Sequence, residues 1–260
     1  MLDAVAAEWA KLRTVRSTYI VLGVALAFTG VGVLVTWQAV TLWDGLSPER
    51  RARFALSDIT ALTSWVAGLC LAIMGVLAVT PEHRTGMIRT TFAAMPGRRT
   101  VLAAKAGVVG AVSLAAGLAI TFLTLFGTRL VVGDRPIAGH RTAIAHELPE
   151  LLARAGLITV YALLGVGLAV LLRSTAAAIV SIVVPWYPLP MLLGLLPDPW
   201  GKRIAAFVPD ALPGQIAGHG SNTSSVYGDL LPPAAAAALM VAYAVLPLWL
   251  ASSVIQRRDA

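Results

Sequence analysis

Six long stretches without a charged residue constrain this chain more than any other feature of its sequence. Each can cross a bilayer as a helix, because a helix rises about 1.5 Å per residue and about 20 apolar residues span the hydrocarbon core. The stretches are residues 17–43, 59–81, 106–128, 155–172, 174–197 and 230–256. The shortest, 155–172, is just long enough if Arg154 or Arg173 extends its charged end to the membrane surface. We therefore predict an all-α, polytopic membrane protein with six transmembrane helices.

The composition agrees with a chain made almost entirely of spans and connections. Hydrophobic residues make up 58% of the 260 residues and charged residues only 13%, whereas soluble domains hold about 45–50% and about 25%. We predict a single transmembrane domain over residues 1–260, with no separate soluble domain. The net charge of +7 is explained by basic residues that orient a membrane protein. We therefore expect no nucleic-acid partner.

The distribution of basic residues predicts the orientation of the chain. With six spans, both termini lie on one side, together with residues 82–105 and 173. These segments hold 11 Lys and Arg in 45 residues, whereas the connections of the other side hold 9 in 73 residues. Basic residues favour the cytoplasmic side. We expect a multi-pass protein of the cell membrane with both termini in the cytoplasm.

The first 16 residues predict a helix that lies on the membrane surface. Leu2, Val5, Ala6, Trp9 and Leu12 recur at helical spacing on one face. The acidic residues come early in this segment and the basic residues late, as the helix dipole favours. We interpret Trp9 as a headgroup-level anchor and the late basic residues as contacts for anionic lipid. These basic residues are Lys11, Arg13 and Arg16. An ordinary solvated leader is the alternative.

The predicted spans carry few side chains that could bind a driving ion. None of the six stretches holds Asp, Glu, Lys, Arg or His. Carriers driven by protons or sodium usually need such residues at membrane depth, so their absence counts against a secondary transporter. Pairs of small residues predict close packing between helices. The pairs are Ala103 with Gly107, Ser113 with Gly117, and Gly165 with Gly167.

Three prolines, Pro185, Pro188 and Pro190, interrupt the fifth predicted span. Each lacks a backbone donor and clashes with the preceding helical turn. We predict a kinked or broken helix that neighbouring helices cover or that faces a cavity. A structural kink near the outer membrane surface, anchored by Trp186 and Tyr187, is one interpretation. A gate or an element of a substrate path is the other.

No motif for catalysis or nucleotide binding is present in the sequence. It contains no Gly-x-x-x-x-Gly-Lys-Ser/Thr segment, so the chain does not hold nucleotide phosphates as P-loop proteins do. The four histidines fall in connections, and none stands four residues from another on a predicted helix. We therefore predict a protein that is not itself an enzyme, with no catalytic residue, metal site or cofactor of its own.

The connection between the second and third spans has the strongest pattern outside the membrane. Met87, Ile88, Thr91, Phe92 and Met95 recur at helical spacing and form a short apolar stripe. Charged residues border the stripe, namely Glu82, Arg84 and Arg89. An exposed apolar stripe with a charged rim predicts a docking surface for a soluble partner. A helix that lies flat on the membrane is the alternative.

Three segments of the chain resemble the type-2 ABC transporter permeases, particularly those of actinobacteria. Residues 8–19, Glu-Trp-Ala-Lys-Leu-Arg-Thr-Val-Arg-Ser-Thr-Tyr, are similar to the interfacial elbow helix of that family. Residues 82–98, Glu-His-Arg-Thr-Gly-Met-Ile-Arg-Thr-Thr-Phe-Ala-Ala-Met-Pro-Gly-Arg, are similar to the loop that docks on the ATPase. Residues 207–216, Phe-Val-Pro-Asp-Ala-Leu-Pro-Gly-Gln-Ile, are similar to the outer segment between the fifth and sixth spans. The outer segment 129–154 is longer than the family leads us to expect.

The resemblance implies a bacterial permease subunit that exports a substrate with energy from a separate cytoplasmic ATPase. That partner would bind ATP and Mg and hydrolyse the ATP. A second permease copy, identical or homologous, would complete a dimer within the membrane lipid. The implied ATPase-docking residues are Glu82, Arg84, Gly86, Met87, Ile88, Arg89 and Phe92. An ion-coupled secondary transporter and a non-transporting membrane scaffold or sensor remain as alternatives.

Overall fold

The computed structural model describes residues 2–84, 97–137, 143–186, 188–197, 199–218 and 231–257. This part of the chain consists of helices joined by short connections and contains no strand. Its helices are α1 (Leu2–Thr14), α2 (Arg16–Asp44), α3 (Pro48–Arg51), α4 (Ile59–Leu77), α5 (Thr80–Arg84), α6 (Arg98–Val132), α7 (Ile144–Leu172), α8 (Thr175–Trp186), α9 (Pro188–Leu193), α10 (Trp200–Ala205), a 3-10 turn (Pro209–Ala211), α11 (Leu212–Ala217) and α12 (Pro233–Arg257).

Six helical segments are long and apolar enough to cross a membrane, which confirms the predicted all-α architecture. The segments are Arg16–Asp44, Ile59–Glu82, Arg99–Val132, Ile144–Leu172, Thr175–Leu193 and Pro233–Gln256. The predicted boundaries of the third and fourth spans are too narrow. Helix α6 extends beyond both ends of the predicted 106–128, and α7 begins 11 residues before the predicted 155. Within the outer segment 129–154, residues 129–132 therefore belong to α6 and residues 144–154 to α7.

Helix α7 lies at the centre of the bundle and packs against α4, α6, α8, α11 and α12. The apolar part of α7 is 67% buried, whereas that of α12 is only 17% buried. Helices α2 and α8 are similarly exposed along their apolar faces. In a membrane protein such exposed apolar faces contact lipid. The core is thus formed by α4, α6 and α7, with the other spans around it.

Small residues allow α4 and α7 to approach each other at backbone distance. A Cβ atom on Gly75 would lie 2.0 Å from the carbonyl oxygen of Ala162, and one on Gly165 would lie 2.4 Å from the carbonyl oxygen of Ala72. A real Cβ atom does not fit at either place, so both positions require glycine. The two contacts are reciprocal and fix the relative height of the two helices.

The other predicted small-residue pairs differ in their surroundings. A Cβ atom on Gly117 would lie 2.9 Å from the carbonyl oxygen of Ala155, and Gly167 lies against Pro247 of α12. Both glycines therefore serve the close packing that the sequence predicts. Gly107 has no atom within 4 Å of the place where a Cβ atom would lie. Its pair with Ala103 does not form a contact between helices in the described chain.

Hydroxyl groups within the spans are satisfied by their own helices. Thr29, Thr36, Ser113 and Thr121 each donate to the carbonyl oxygen four residues earlier. This is the usual solution for a hydroxyl in a helix that has no water beside it. One further pair, Thr63 and Thr124, forms a hydrogen bond of 3.1 Å between α4 and α6. Polar groups in the middle of the bundle are therefore few and paired locally.

Polar contacts at the two ends of the bundle show which connections lie together. At the end that carries both termini, here called the terminal side, Arg99 donates to Gln256 at 2.6 Å. At the opposite end, the distal side, Arg135 forms an ion pair with Asp44 at 2.9 Å. The contact between Arg99 at the start of the third span and Gln256 at the end of the sixth agrees with an even number of spans.

The distal segment between the fifth and sixth spans is held by a buried glutamine. The Gln215 side chain donates to the carbonyl oxygen of Ala206 at 2.8 Å and accepts from the Leu231 amide at 3.0 Å. The Tyr243 hydroxyl donates to the carbonyl oxygen of Phe207 at 2.8 Å. These bonds tie α10, the 3-10 turn and α11 to the start and the middle of α12.

Candidate functional site

Four charged side chains meet at the terminal side in what we call the ion cluster: Glu8, Lys11, Glu82 and Lys105. The Lys11 ammonium lies 2.7 Å from Glu8 and 2.9 Å from Glu82. The Lys105 ammonium contacts both carboxylates as well, with 3.0 Å to Glu82. All of these side chains except Lys11 are at least nine-tenths buried. Two positive and two negative charges make the ion cluster neutral.

Three separate elements bring the ion cluster together. Helix α1 supplies Glu8 and Lys11, which share a face at a spacing of three residues. Glu82 lies on α5, and Lys105 lies in the second turn of α6. Lys105 also donates to the carbonyl oxygen of Ala78 at 2.8 Å, where α4 ends. One ammonium group therefore joins α1, the end of the second span and the start of the third.

The hydrogen bonds of the ion cluster favour the charged form of Lys11. A buried ion pair is stable only if every charged group keeps hydrogen-bonding partners. Lys105 has three N–H donors, and Glu8, Glu82 and Ala78 accept all three. Burial acts to lower the pKa of Lys11, but the hydrogen bonds and charges of Glu8 and Glu82 outweigh it and raise that pKa above its usual value.

The sequence patterns predict exposed positions for Glu82 and Lys105, whereas the structure buries both in the ion cluster. Glu82 is predicted at the rim of an exposed docking surface, yet its side chain is buried against Lys11 and Lys105. Lys105 lies at the edge of the predicted third span, where its side chain would extend to water, but it is only 6% exposed. Glu8 is interpreted only through the helix dipole and is 5% exposed. A one-dimensional pattern does not show that opposite charges 71 and 97 residues apart meet.

The remaining predicted docking residues lie at the edge of the described chain or outside it. Residues Gly86, Met87, Ile88, Arg89 and Phe92 fall within 85–96, outside the described residues. Arg84 is described by its backbone at the end of α5. What the structure does place are the two ends of this connection: Glu82 precedes it and Lys105 follows it. Both ends belong to the ion cluster.

Helix α1 forms where the sequence predicts a helix. One of its faces packs against the bundle and another is exposed. Ala4, Glu8 and Leu12 are buried against the bundle. The predicted apolar face is turned away, since Leu2 is 86% exposed and Trp9 is 45% exposed. Leu12, which the sequence pattern assigns to the outward face, therefore belongs to the inward one. A helix with one face on the bundle and an apolar face outside it has the form of an interfacial helix.

The basic residues of α1 and its junction with α2 differ in their contacts. Lys11 is engaged in the ion cluster, whereas Arg13 lies over the Trp9 ring at 5.9 Å from its centroid. Arg16 begins α2 and is exposed. Two of the three predicted lipid contacts, Arg13 and Arg16, are thus free to reach a membrane surface, and Lys11 has a structural role as well.

The predicted kink site lies between two helices of the fifth span. Pro185 is in the last turn of α8, Pro188 begins α9, and Pro190 lies within α9. Residue 187 is outside the described residues. Trp186 packs edge-on against Tyr161 of α7 and Tyr243 of α12, with ring centroids 5.9 and 6.2 Å apart. Trp186 is thus a packing residue of the bundle; whether the prolines form a gate stays a prediction.

A second group of charges, the Arg154 cluster, lies at the distal side. Arg154 contacts Asp58 at 2.9 Å and Glu150 at 2.6 Å, and Asp210 adds its charge to the same place. Asp58 also caps α4 by accepting from the Ala61 amide at 3.0 Å. Burial raises the pKa of Asp210 to about 6 and Asp58 reinforces this, although Arg154 acts to lower it. Arg154 is therefore paired within the protein and does not extend to water as expected.

Comparison with protein-family models finds no match for this sequence, and neither does comparison with curated proteins. Among the described residues, no group of three His, Cys, Asp or Glu side chains could hold a metal ion. The ion cluster includes residues that precede and follow 85–96 in the chain. It is the strongest candidate for a functional site, because it combines buried charge with a junction of three elements.

Proposed function

We propose that this chain is the membrane-spanning permease subunit of an ATP-binding cassette transporter and exports its substrate with energy from a separate ATPase subunit. The observation that carries the proposal is the ion cluster, which joins Glu82, at the start of the predicted docking segment 82–98, and Lys105, in the helix that follows it, to α1. The resemblance of residues 8–19 and 82–98 to type-2 permeases supports the same assignment.

The ion cluster gives a physical route from the docking connection to the spans. A partner that pushes on residues 85–96 acts directly on α5 and on the start of α6. These two elements cannot separate from each other or from α1 without leaving a buried charge unpaired, and that costs about 3–5 kcal/mol. The three elements therefore move as one unit. Helix α1, in contact with lipid, and the second and third spans receive the motion together.

The proposed partners follow from this role. A cytoplasmic ATPase would bind ATP and Mg, since the chain has no nucleotide-binding motif. A second permease copy, identical or homologous, would complete the transport path between two bundles. Both termini and residues 82–98 would face the cytoplasm of a bacterial cell. The substrate class would be one that type-2 permeases export, such as a drug, a lipid, a peptide or a glycan.

The test is co-expression with a cytoplasmic ABC ATPase of the source organism, followed by capture of the tagged permease and ATP-dependent flux in vesicles. Ile88→Asp and Phe92→Asp place a charge in the apolar stripe, and we expect each to weaken ATPase capture about thirtyfold, as for loss of a central anchor. Arg89→Glu should weaken capture mainly at low salt, because rim charges act on encounter. Leu195→Asp, at an exposed distal position, is the matched control.

The outcomes separate the proposed function from its alternatives. Flux that requires the ATPase and fails in the two stripe variants supports the permease. Flux driven by an ion gradient without the ATPase would show a secondary transporter. ATPase capture without flux, in a preparation that is inserted normally, would show a scaffold. Wild-type capture and flux in both stripe variants would refute the docking assignment.

A further inference from the structure

A cavity of about 280 Å³ lies beside the ion cluster, between the junction of α1 with α2, the end of α4 and the start of α6. Its interior is formed by buried side chains, among them Met74, Val108 and Val109. Its rim includes the exposed residues Thr14 and Val15. The cavity thus has an apolar interior and opens to the outside at the end of α1.

One polar group at the edge of this cavity has a hydrogen-bond donor for which no acceptor is found among the described residues. Lys105 also lines the cavity, and its ammonium group donates all three of its hydrogen bonds, to Glu8, Glu82 and Ala78. The Lys11 ammonium donates two hydrogen bonds, to Glu8 and to Glu82. An ammonium group has three donors, and the Lys11 side chain is 33% exposed. Its third N–H is therefore available for an acceptor outside the described residues.

The depth of the cavity in the membrane follows from α1. The outward face of α1 is apolar, with Leu2, Val5 and Trp9 exposed. A helix of this kind lies with that face about 5–10 Å inside the boundary between headgroups and acyl chains. The cavity opens beside the C-terminal end of the same helix. Its mouth therefore lies where the glycerol esters and phosphates of a leaflet lie, and its interior lies at the level of acyl chains.

We propose that the cavity binds one anionic phospholipid of the leaflet on the terminal side. An acyl chain fills the space between Met74, Val108 and Val109, and a phosphate oxygen accepts the third N–H of Lys11. Arg13 and Arg16 are exposed and flank the rim residues Thr14 and Val15 in the chain, so they add positive charge that favours an anionic headgroup. A cavity of about 280 Å³ holds part of one acyl chain and not a whole lipid. The site does not depend on the transport function.

The test uses the full chain in vesicles that contain a phosphatidylglycerol with a photoreactive diazirine on one acyl chain. After illumination, the labelled residues are mapped by peptide mass spectrometry. We expect labelling at Met74, Leu77 and Val108 of the cavity in addition to labelling along the exposed face of α12. The α12 labels report ordinary contact with bulk lipid, so the ratio of cavity to α12 label measures occupancy of the site.

Two variants fill the cavity. Val108→Phe enlarges an interior side chain, and Ser17→Leu enlarges a half-buried one at the wall in case the first fails to fold. We expect the ratio of cavity label to α12 label to fall about fivefold or more, because space that is already filled rejects added methylenes. Val241→Phe, the same change on the 58% exposed face of α12, is the control and should leave the ratio unchanged.

A second arm replaces the probe by phosphatidylcholine with the same chain. Labelling of the cavity should then fall while the α12 label stays constant, since the zwitterionic headgroup loses the net attraction of the basic residues. Equal labelling by both lipids would overturn the assignment of an anionic headgroup. The absence of cavity labelling would overturn the site. Cavity labelling that both filling variants leave unchanged would also overturn it, because the label would then come from bulk lipid.

Discussion

Lys105 shows, at the scale of one residue, how a charge is accommodated at the end of a span. Its ammonium group is surrounded by two carboxylates and one carbonyl oxygen, and each of its donors is used. A buried ammonium group with all of its partners is tolerated in the folded protein. The loss of any one member of the ion cluster is costly, because the remaining members stay buried and charged. The same holds for Glu82, which contacts both lysines.

The first prediction concerns the removal of one member of the ion cluster. Lys105→Met leaves two buried carboxylates with only Lys11, so we expect a loss of about 3–5 kcal/mol in the free energy of unfolding. For a chain of this size the melting temperature should fall by about 6 °C or more, measured by thermal unfolding of the detergent-solubilised protein.

The control is the double variant Lys105→Met with Glu82→Met. It removes one charge of each sign and leaves the neutral pair of Glu8 and Lys11. We expect its loss of stability to be smaller than the sum of the two single losses by about 1 kcal/mol or more. Additive losses would mean that Lys105 and Glu82 do not interact in the folded protein.

The second prediction concerns the pH dependence contributed by Asp210. Its pKa is about 6 in the fold, above the ordinary value of 3.8. The folded state therefore holds this proton more tightly than the unfolded state, and the stabilisation it gives is present below about pH 4 and lost as the pH rises through about 6. Asp210→Asn is neutral at every pH and lacks this dependence.

The measurement is the difference in melting temperature between the wild type and Asp210→Asn over this range. We expect the wild type to lose about 4–8 °C relative to the variant between about pH 4 and about pH 7, which corresponds to about 2 kcal/mol. A constant difference would place the pKa of Asp210 near its ordinary value.

At the scale of elements, contact between the backbones of α4 and α7 determines the position of the central helix. Gly75 and Gly165 face carbonyl oxygens of the opposite helix, and neither position has room for a methyl group. In lipid, van der Waals contact of this kind supplies much of the association between helices. The packing of α7 against α4 should therefore be more sensitive to small additions than the packing of the outer spans.

The third prediction compares two glycine-to-alanine changes. Gly75→Ala must push α4 from α7, because the added atom would lie 2.0 Å from a backbone oxygen, and we expect a loss of about 1–3 kcal/mol. Gly107→Ala adds the same methyl group where nothing lies within 4 Å, and it should be neutral or stabilising by about 0.4–1 kcal/mol. Thermal unfolding of both variants is the measurement, and equal effects would contradict the close contact.

The number of membrane-spanning segments and their helical type could be predicted from the sequence, but not all of their ends. Apolar stretches predict spans because lipid excludes unpaired polar groups. The same rule places the start of the fourth span just after Arg154, although α7 continues through that residue to Ile144. Arg154 is tolerated because Asp58 and Glu150 pair with it, and Asp58 is 96 residues away in the chain.

The ion cluster is harder to predict from the sequence, because its charged residues are also far apart in the chain. Glu8 and Lys11 could have been recognised as a charged face of α1 separate from its apolar stripe, since they are three residues apart. Their partners on α5 and α6 could not, because the pairing depends on how three helices pack. The sequence predicts a functional region at residues 82–98, and the structure shows the contacts of Glu82 at its start and of Lys105 beyond its end.

At the scale of the whole molecule, the arrangement separates two charged ends by an apolar middle. The ion cluster lies at the terminal side and the Arg154 cluster at the distal side. Between them, the described polar side chains are mainly Ser and Thr hydroxyls bonded to their own helices. This arrangement fits six membrane crossings, with each charged cluster near one surface of the bilayer.

The fourth prediction tests the orientation of the two ends. In a Cys70→Ala background, Ser47→Cys lies in the exposed distal connection after α2, and Ser174→Cys lies in the exposed terminal connection between α7 and α8. An impermeant thiol reagent on intact cells should label the cysteine at 47 at once and the cysteine at 174 only after permeabilisation. The reverse pattern would place the termini outside the cell.

The central position of α7 also has a consequence for how the protein is made. Helix α7 is the fourth span to be synthesised, so α4 and α6 precede it and can receive it when it enters the membrane. Its contact with α12, where Gly167 meets Pro247, must wait until the ribosome has added the remaining spans, which takes several seconds at about 5–20 residues per second. During that interval lipid covers a face that the finished protein buries, and the closing of that face marks the end of assembly.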